Sequence, residues 1–206
     1  MPPIPPARFH DLLQAVRDDN YASEDLATFG PLEDWDTSLI EDMRWAFADQ
    51  ATFNRDLSRW NTSRVRNMAY MFSGAAAFNQ PLGSWNTRRV TSMTRMFNCA
   101  AAFNQPLGRW DVSRVWDMKR MFSGAIVFNQ PIERWDMSRV QRTDRMFWGA
   151  RAFTHSLKRW TVDDLDDGET IYGFSYRMPL PVMEYVKRRR VAEEEEKEEP
   201  SSARAS

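Results

Sequence analysis

The chain has 206 residues, of which 42% are hydrophobic and 13% aromatic, so it is long enough and apolar enough to bury a core. Its one cysteine, Cys99, excludes an intramolecular disulfide framework, and the absence of any run of about 18 apolar residues excludes a transmembrane helix. The net charge of −1 conceals a segregation: residues 54–160 carry 18 basic and 6 acidic side chains, a net of +12, whereas residues 1–53 and 161–206 have nets of −8 and −5.

Residues 1–28 form a proline-rich start followed by a predicted capping helix. The first six residues have neither the basic nor the apolar region of a signal peptide, so an intracellular location is the default expectation and the compartment itself is not predicted. Four apolar residues then follow at i, i+3, i+4 and i+7, which is typical of an amphipathic helix. We expect this helix to cover the first repeat, and a partner-binding helix is the alternative; the four residues are Phe9, Leu12, Leu13 and Val16.

Residues 29–165 contain a repeat of 25 residues that runs about six times. Columns of Phe, Leu, Met and Val keep the same step as a column of tryptophans, and a single unit could not bury all of these side chains by itself. We therefore expect the tryptophans to form an interior column; a role in stacking on a cofactor or a nucleic acid is the alternative. They are Trp35, Trp60, Trp85, Trp110, Trp135 and Trp160.

Each unit is expected to contain one short helix or turn and one short strand. Apolar residues at helical spacing predict a helix near residues 64–73, after Ser63 as N-cap, with equivalents at 39–48, 89–98, 114–123 and 139–148. The segment from Leu82 to Thr87 reads as an extended strand that could pair with its neighbours in a narrow parallel sheet. The predicted fold class is an α/β repeat solenoid with a helical N-terminal cap.

The C-terminal part is expected to close the array. Residues 166–190 read as an irregular cap followed by a helix from Pro181, and residues 191–206 as an acidic, disordered tail. The basic run at 187–190 is interpreted as part of a charged helix, with a nuclear-localisation signal as the alternative.

Three motifs resemble the short-period leucine-rich repeats of BspA-like surface proteins, in the 25-residue variant known from mycoplasma surface lipoproteins and from unicellular algae. They are residues 71–75 (MFSGA), 78–82 (FNQPL) and 110–115 (WDVSRV). The resemblance implies a right-handed leucine-rich-repeat-like solenoid without enzymatic activity, whose roles concern adhesion and protein contacts. The chain departs from the pattern at Arg88 and Asp163, which replace the N-cap Ser, at Thr143, which replaces Met, and at Thr154, which replaces the turn Asn.

The sequence offers no catalytic, cofactor-binding or metal-binding constellation. His10 and His155 have no Cys or carboxylate at a metal-ligand spacing, and the acidic cluster at 163–167 lacks the spacing of a calcium loop. Cys99 occupies the position that Gly74, Gly124 and Gly149 have in other units, so we expect a small buried thiol. We therefore predict no enzyme and no cofactor.

The turn asparagines are expected to have a structural role, because stacked Asn side chains can satisfy turn backbone groups from unit to unit. This predicted asparagine ladder contains Asn54, Asn79, Asn104 and Asn129.

The candidate partner-binding residues flank the tryptophans and are predicted to point outward from the sheet, because successive side chains of a strand alternate. A solvated exterior, or Arg–Asp pairing along the sheet, is the alternative. The candidates are Arg59, Arg109, Arg134, Arg159, Asn61, Asn86, Asp111 and Asp136.

Three functional hypotheses follow. The first is a monomeric scaffold or binding module, not inserted in a membrane, that contacts another protein through these outward side chains. The second is an electrostatic binder of nucleic acid or another polyanion, favoured by the net charge of +12 over residues 54–160; two further basic rows, Arg64/89/114/139 and Arg95/120/145, add to that surface. The third is an enzyme, for which the sequence gives no support.

Overall fold

The computed structural model describes residues 2–17, 24–157 and 159–160. All helical segments of the described residues precede Trp35: 3₁₀ helices at Pro6–Arg8 and Leu32–Asp34, and the α-helices α1 (Phe9–Arg17) and α2 (Glu24–Phe29). Over the described residues, no helix is long and apolar enough to cross a bilayer. The cap predicted at 166–190 and the tail predicted at 191–206 lie outside the described residues.

From Trp35 onward the chain stacks coil upon coil. We number the coils from each tryptophan: coil 1 is 35–59, coil 2 is 60–84, coil 3 is 85–109, coil 4 is 110–134 and coil 5 is 135–159. Every second N–H from Met68 to Gly74 donates to a carbonyl of the next coil, 24 residues further on, at N···O distances of 2.7–3.0 Å. Single-residue parallel bridges join the coils at Asp42, Asn67, Ser92, Asp117 and Arg142.

The helix predicted for residues 64–73, and its equivalents in the other coils, is wrong. The intervening N–H groups close tight turns of four residues instead, such as Met71 N to Met68 O at 3.3 Å and Ser73 N to Tyr70 O at 3.1 Å. Tyr70 has a positive φ of 60°, and so do its equivalents in the other coils, which ends any α-helix there. The segment from Leu82 to Thr87, predicted as a strand, contains turns, and the bridges lie in the segment predicted as helix.

Ser63 is not an N-cap. Its own N–H donates to Oδ1 of Asn61 at 3.1 Å in an Asx turn, so the residue two positions earlier does the capping. The same Asx pattern closes a second turn in the coil, where Ala69 N donates to Asn67 Oδ1 at 2.9 Å.

Tyr70 and its equivalents occupy the first left-handed position of each coil, and a second left-handed position lies four residues later. It is occupied in successive coils by Asp49, Gly74, Cys99, Gly124 and Gly149. A Cβ on Gly124 would lie 3.1 Å from Cys99 Sγ, whereas a Cβ on Gly149 would lie 3.7 Å from its nearest neighbour, Gly124. A side chain in one coil thus occupies the space above the glycine of the next coil.

The interior consists of stacked columns of aromatic side chains. All six tryptophans of the repeat are buried, with 2–4% of each residue exposed. Each repeat tryptophan from Trp60 onward donates its indole Nε1–H to the backbone carbonyl of the Leu or Ile that lies 28 residues earlier, as Trp110 does to Leu82 at 3.0 Å. Two phenylalanine columns stack beside them, with ring centroids 5.5–5.7 Å apart in one column and 5.8–6.1 Å apart in the other.

A buried threonine column lies two residues after the tryptophans and was not anticipated from the sequence. Thr37, Thr62 and Thr87 each donate Oγ1–H to a carbonyl of the following coil at 2.9–3.1 Å. Val112 and Met137 take over this column in coils 4 and 5 and are also buried. The column therefore changes from hydrogen bonding to apolar packing along the stack.

Helix α1 covers the first coil. It buries Phe9, Leu12 and Leu13. Its last residue, Arg17, donates from Nη2 to Ala46 O at 2.6 Å. In coil 2 the equivalent carbonyl, Met71 O, instead accepts the backbone N–H of Phe47 from the coil before it. The Arg17 guanidinium thus replaces a donor that no earlier coil supplies.

Candidate partner-binding surface

The turn asparagines form a continuous ladder along one side of the stack. Asn104 shows the geometry: its backbone N donates to Asn79 Oδ1 at 2.9 Å, and its own Oδ1 accepts the backbone N–H of Asn129 at 2.9 Å. Gln130 adds a side-chain amide that lies 2.9 Å from both Asn104 Oδ1 and Asn104 O. The ladder holds the coils together, and the glutamine that follows each asparagine belongs to it.

Different residues occupy the two ends of this ladder. At the C-terminal end, Thr154 donates its backbone N–H to Asn129 Oδ1 at 2.9 Å, although its side chain departs from the asparagine pattern. At the N-terminal end, Arg55 stands in the glutamine column and binds Glu33 through two parallel bonds, Nε to Oε1 at 2.6 Å and Nη2 to Oε2 at 2.5 Å. The hydrogen bonds from Arg55 lower the pKa of the Glu33 carboxyl below its usual value.

Four of the candidate partner-binding residues shape the turn that follows the tryptophan. Their Oδ1 atoms accept the backbone N–H of the residue two positions on at 3.0–3.2 Å. Hydrogen bonds from Ser113 and Ser138 also lower the pKa of the carboxyls of Asp111 and Asp136. The sequence signal for this role was the recurring Asx-x-Ser pattern. The four residues are exposed; they are Asn61, Asn86, Asp111 and Asp136.

The other four candidates form an exposed column that we name the tryptophan-flanking arginine row: Arg59, Arg109, Arg134 and Arg159. Ser84 interrupts it in coil 2. Arg59 forms an ion pair with Asp34, which occupies the same column one coil earlier. Among the described residues, Arg109 and Arg134 have no carboxylate within ion-pair distance.

Arginines near the N-terminal end of the stack pair with carboxylates of the neighbouring level. Besides the pairs of Arg55 and Arg59, Arg66 Nε lies 3.2 Å from Glu41 Oε2. All three acidic partners come from residues 1–53, where the net charge is −8. The acidic start of the chain therefore supplies these basic columns with counter-ions, and carboxylates are scarcer in the coils that follow.

A second basic column coincides with the first left-handed position. We name it the left-handed arginine row: Arg95, Arg120 and Arg145, with φ of 53°, 54° and 53°. In the two preceding coils the same position holds Trp45, which is 50% exposed, and Tyr70, and their rings stack at a centroid distance of 3.8 Å.

Each end of the left-handed arginine row contacts an aromatic ring. The Arg95 guanidinium lies 5.3 Å from the centroid of the Tyr70 ring, and the Arg145 guanidinium lies 5.6 Å from that of Trp148. Burial, followed by the like charges of Arg95 and Arg145, lowers the pKa of Arg120. Its Nε is buried and has no hydrogen-bond partner in the described part of the chain.

Cys99 is exposed, which contradicts the expectation of a buried thiol. Its left-handed backbone, with φ of 58°, lies on the outside of the coil, where the space is left by glycines in the adjacent coils. Within the described residues, no group of three or more His, Cys, Asp or Glu side chains could hold a metal ion.

A family model described as "Mycoplasma protein of unknown function, DUF285" matches residues 19–116 and again residues 84–178. The chain belongs to this family. The two matches overlap over residues 84–116, within the stacked coils. Neither a curated protein nor a solved structure matches the chain.

Proposed function

We propose that this member of the family is a non-catalytic protein-interaction module, built as a right-handed leucine-rich-repeat-like solenoid of the BspA-like type, which binds an acidic protein through its tryptophan-flanking arginine row. The observation that carries the proposal is the contrast within that row. Arg59 is paired with Asp34, whereas Arg109 and Arg134 present guanidinium groups to solvent without a carboxylate in the described part of the chain. An acidic partner would supply to the later coils what Asp34 supplies to the first.

The distribution of side chains supports a binding surface over a catalytic site. The interior columns are committed to packing, and the Asx residues and the asparagine ladder are committed to backbone hydrogen bonds. Arg109 and Arg134 have no such structural role among the described residues, and they stand at the same position of successive coils. A charged column on stacked coils suits recognition of a complementary protein surface.

The experiment is a cross-linking pull-down with the double variant Arg109→Glu/Arg134→Glu. A matched control, Arg64→Glu/Arg151→Glu, makes the same change of net charge at two other exposed arginines. We expect the first variant to lose the partner and the control to retain it, while both unfold at the wild-type urea concentration, since exposed surface substitutions usually change stability by less than about 0.5 kcal/mol. Equal recovery by both variants would show that the row does not carry binding.

Nucleic acid or another polyanion is the second candidate, and the net charge of +12 over residues 54–160 favours it. Such binding would weaken steeply as salt rises, because phosphate neutralisation releases counter-ions. Burial of all six repeat tryptophans leaves few aromatic faces for base stacking, which argues against this candidate. No retention of the protein on a polyanion at about 50 mM salt eliminates it.

A further inference from the structure

The left-handed arginine row is held in an unfavourable state by its own chain. A residue with a Cβ is disfavoured at positive φ, yet Arg95, Arg120 and Arg145 all adopt it at the same position of successive coils. Glycine would fit this backbone without strain, as it does at the second left-handed position in Gly74, Gly124 and Gly149 of coils 2, 4 and 5.

Electrostatics add to this cost. The three guanidinium groups follow one another at the spacing of single coils, and like charges that are half-buried repel each other more than charges in water do. Arg120, in the middle, has a buried Nε without an acceptor among the described residues, and an unpaired buried donor of a charged group is destabilising. A carboxylate bound to the row would offset the repulsion between the guanidinium groups.

We propose that the left-handed arginine row is a second binding site, which takes the carboxylates of an extended acidic segment of the partner protein. This inference rests on the proposed function and adds to it a contact column separate from the tryptophan-flanking arginine row. The chain shows the required pairing in its own Arg55, whose planar fork binds both carboxylate oxygens of Glu33.

The spacing of the row suits an extended peptide. Parallel bridges join successive coils, which places their paired backbones about 4.8 Å apart, and the stacked phenylalanine rings are 5.5–6.1 Å apart. Side chains on the same side of a β-strand are about 6.7 Å apart, so a strand along the stack places one carboxylate near each arginine, and the long arginine side chains accommodate the difference of about 1–2 Å per step.

The two rings that contact the row disfavour a nucleic acid there. The Tyr70 ring contacts both the Trp45 ring and the Arg95 guanidinium, and the exposed ring of Trp45 lies two coils before Arg95. Trp148 is in contact with the Arg145 guanidinium. Base stacking needs free aromatic faces, whereas carboxylates need guanidinium edges.

The test measures binding of fluorescein-labelled poly-L-glutamate to the full chain by fluorescence anisotropy. Arg120→Gln should weaken binding about tenfold, the effect of one lost charge-assisted hydrogen bond, whereas the control Arg151→Gln, which removes the same charge elsewhere, should change it less than about twofold. A second variant, Arg120→Gly, should also lose binding but raise the midpoint of thermal unfolding, because it relieves both the backbone strain and the charge repulsion. A merely structural arginine would lower that midpoint.

The outcomes separate the two proposals. Equal affinity of the Arg120→Gln and Arg151→Gln variants, or a lower unfolding midpoint for Arg120→Gly, overturns the assignment of the left-handed arginine row as a binding site. Either result leaves the proposed function of the tryptophan-flanking arginine row intact, because the pull-down described above tests that row separately. A labelled oligothymidylate of equal charge that binds more tightly than poly-L-glutamate, and depends on Arg120, overturns the acidic peptide in favour of nucleic acid. Preference for poly-L-glutamate with loss in Arg120→Gln supports the proposal.

Discussion

Substitution of Gly124 and Gly149 by alanine would separate backbone strain from crowding between coils. Both glycines have nearly the same φ, +74° and +73°. Alanine in that conformation costs about 1–2 kcal/mol of unfolding free energy at either site. At Gly149 the new Cβ would make an ordinary contact of 3.7 Å, so no further cost is expected. At Gly124 it would lie 3.1 Å from Cys99 Sγ and 3.3 Å from Cys99 Cα, which adds about 1–3 kcal/mol of overpacking.

The assay is urea unfolding followed by tryptophan emission, since the six repeat indoles are buried in the folded state. We expect the free energy of unfolding to fall by about 2–5 kcal/mol for Gly124→Ala and by about 1–2 kcal/mol for Gly149→Ala. Measured against Cys99→Gly alone, the double variant Cys99→Gly/Gly124→Ala should show a smaller loss than Gly124→Ala shows in the wild type, because it removes Sγ at 3.1 Å and leaves only the contact with Cα at 3.3 Å. If the two single variants unfold alike, the coil before Gly124 does not set the requirement for glycine, and the reasoning is refuted.

Three further predictions concern the interior and the turns. Trp110→Phe should lower the free energy of unfolding in urea by about 1–3 kcal/mol, because Leu82 O loses its hydrogen-bond donor. Trp110→Ala should lower it by about 3–5 kcal/mol, because it also leaves a cavity. Equal losses for the two variants would mean that the hydrogen bond accounts for the whole effect. Because the pKa of Asp111 is lowered in the folded state, the stability that its carboxylate contributes is complete above its unfolded pKa of 3.8 and is lost as the pH falls through its folded pKa. Asp111→Asn should therefore reduce the loss of the urea midpoint in acid. An unchanged loss in the variant counts against the Asx turn as the source of this pH dependence. Thr87→Val should cost no more than about 1 kcal/mol, since Val112 is buried in the same column of the next coil, and a larger loss would show that the two coils are not equivalent.

The interior could be predicted from the sequence because the residue types that form it recur at a fixed step of 25 residues. A residue type that recurs every 25 positions must meet its own copies once the coils stack, and the tryptophans predicted to be buried are all buried. The asparagines predicted to stack do so through backbone N–H to Oδ1 bonds, because Asn can accept from a turn that has unpaired donors.

The helix was predicted wrongly because apolar spacing does not report backbone handedness. Met68, Met71 and Phe72 are spaced as on a helix, but overlapping four-residue turns give the same spacing of buried side chains. The left-handed residues between them, such as Tyr70 and Arg95, are of types that rarely adopt positive φ, so nothing in their identity announces it. The Asx residues, Asn67 for example, were the available warning, since they favour turns over helix interiors.

The candidate site could be predicted only in part. Exposure of the tryptophan-flanking arginines was expected from alternation with Trp, and the structure places them at the surface. The sequence did not show that the candidate Asn and Asp residues differ in role from the arginines. Asn61 and Asp111 stabilise turns by accepting the backbone N–H of the residue two positions later, and only the structure shows these hydrogen bonds. Pairing of Arg59 with Asp34 depends on the one-coil offset, which the sequence suggests only once the stacking is known.

The Arg17 cap has a consequence for how such a protein can change in length. Each middle coil offers its neighbours the same backbone donors and acceptors, so a copied or deleted stretch of 25 residues joins the array without any new pattern of backbone hydrogen bonds. The first level is different, because Ala46 O already has its donor in the Arg17 side chain. Growth or shrinkage by whole units would leave this beginning unchanged, and duplication would change the number of arginines in a row and so the reach of the proposed binding surface.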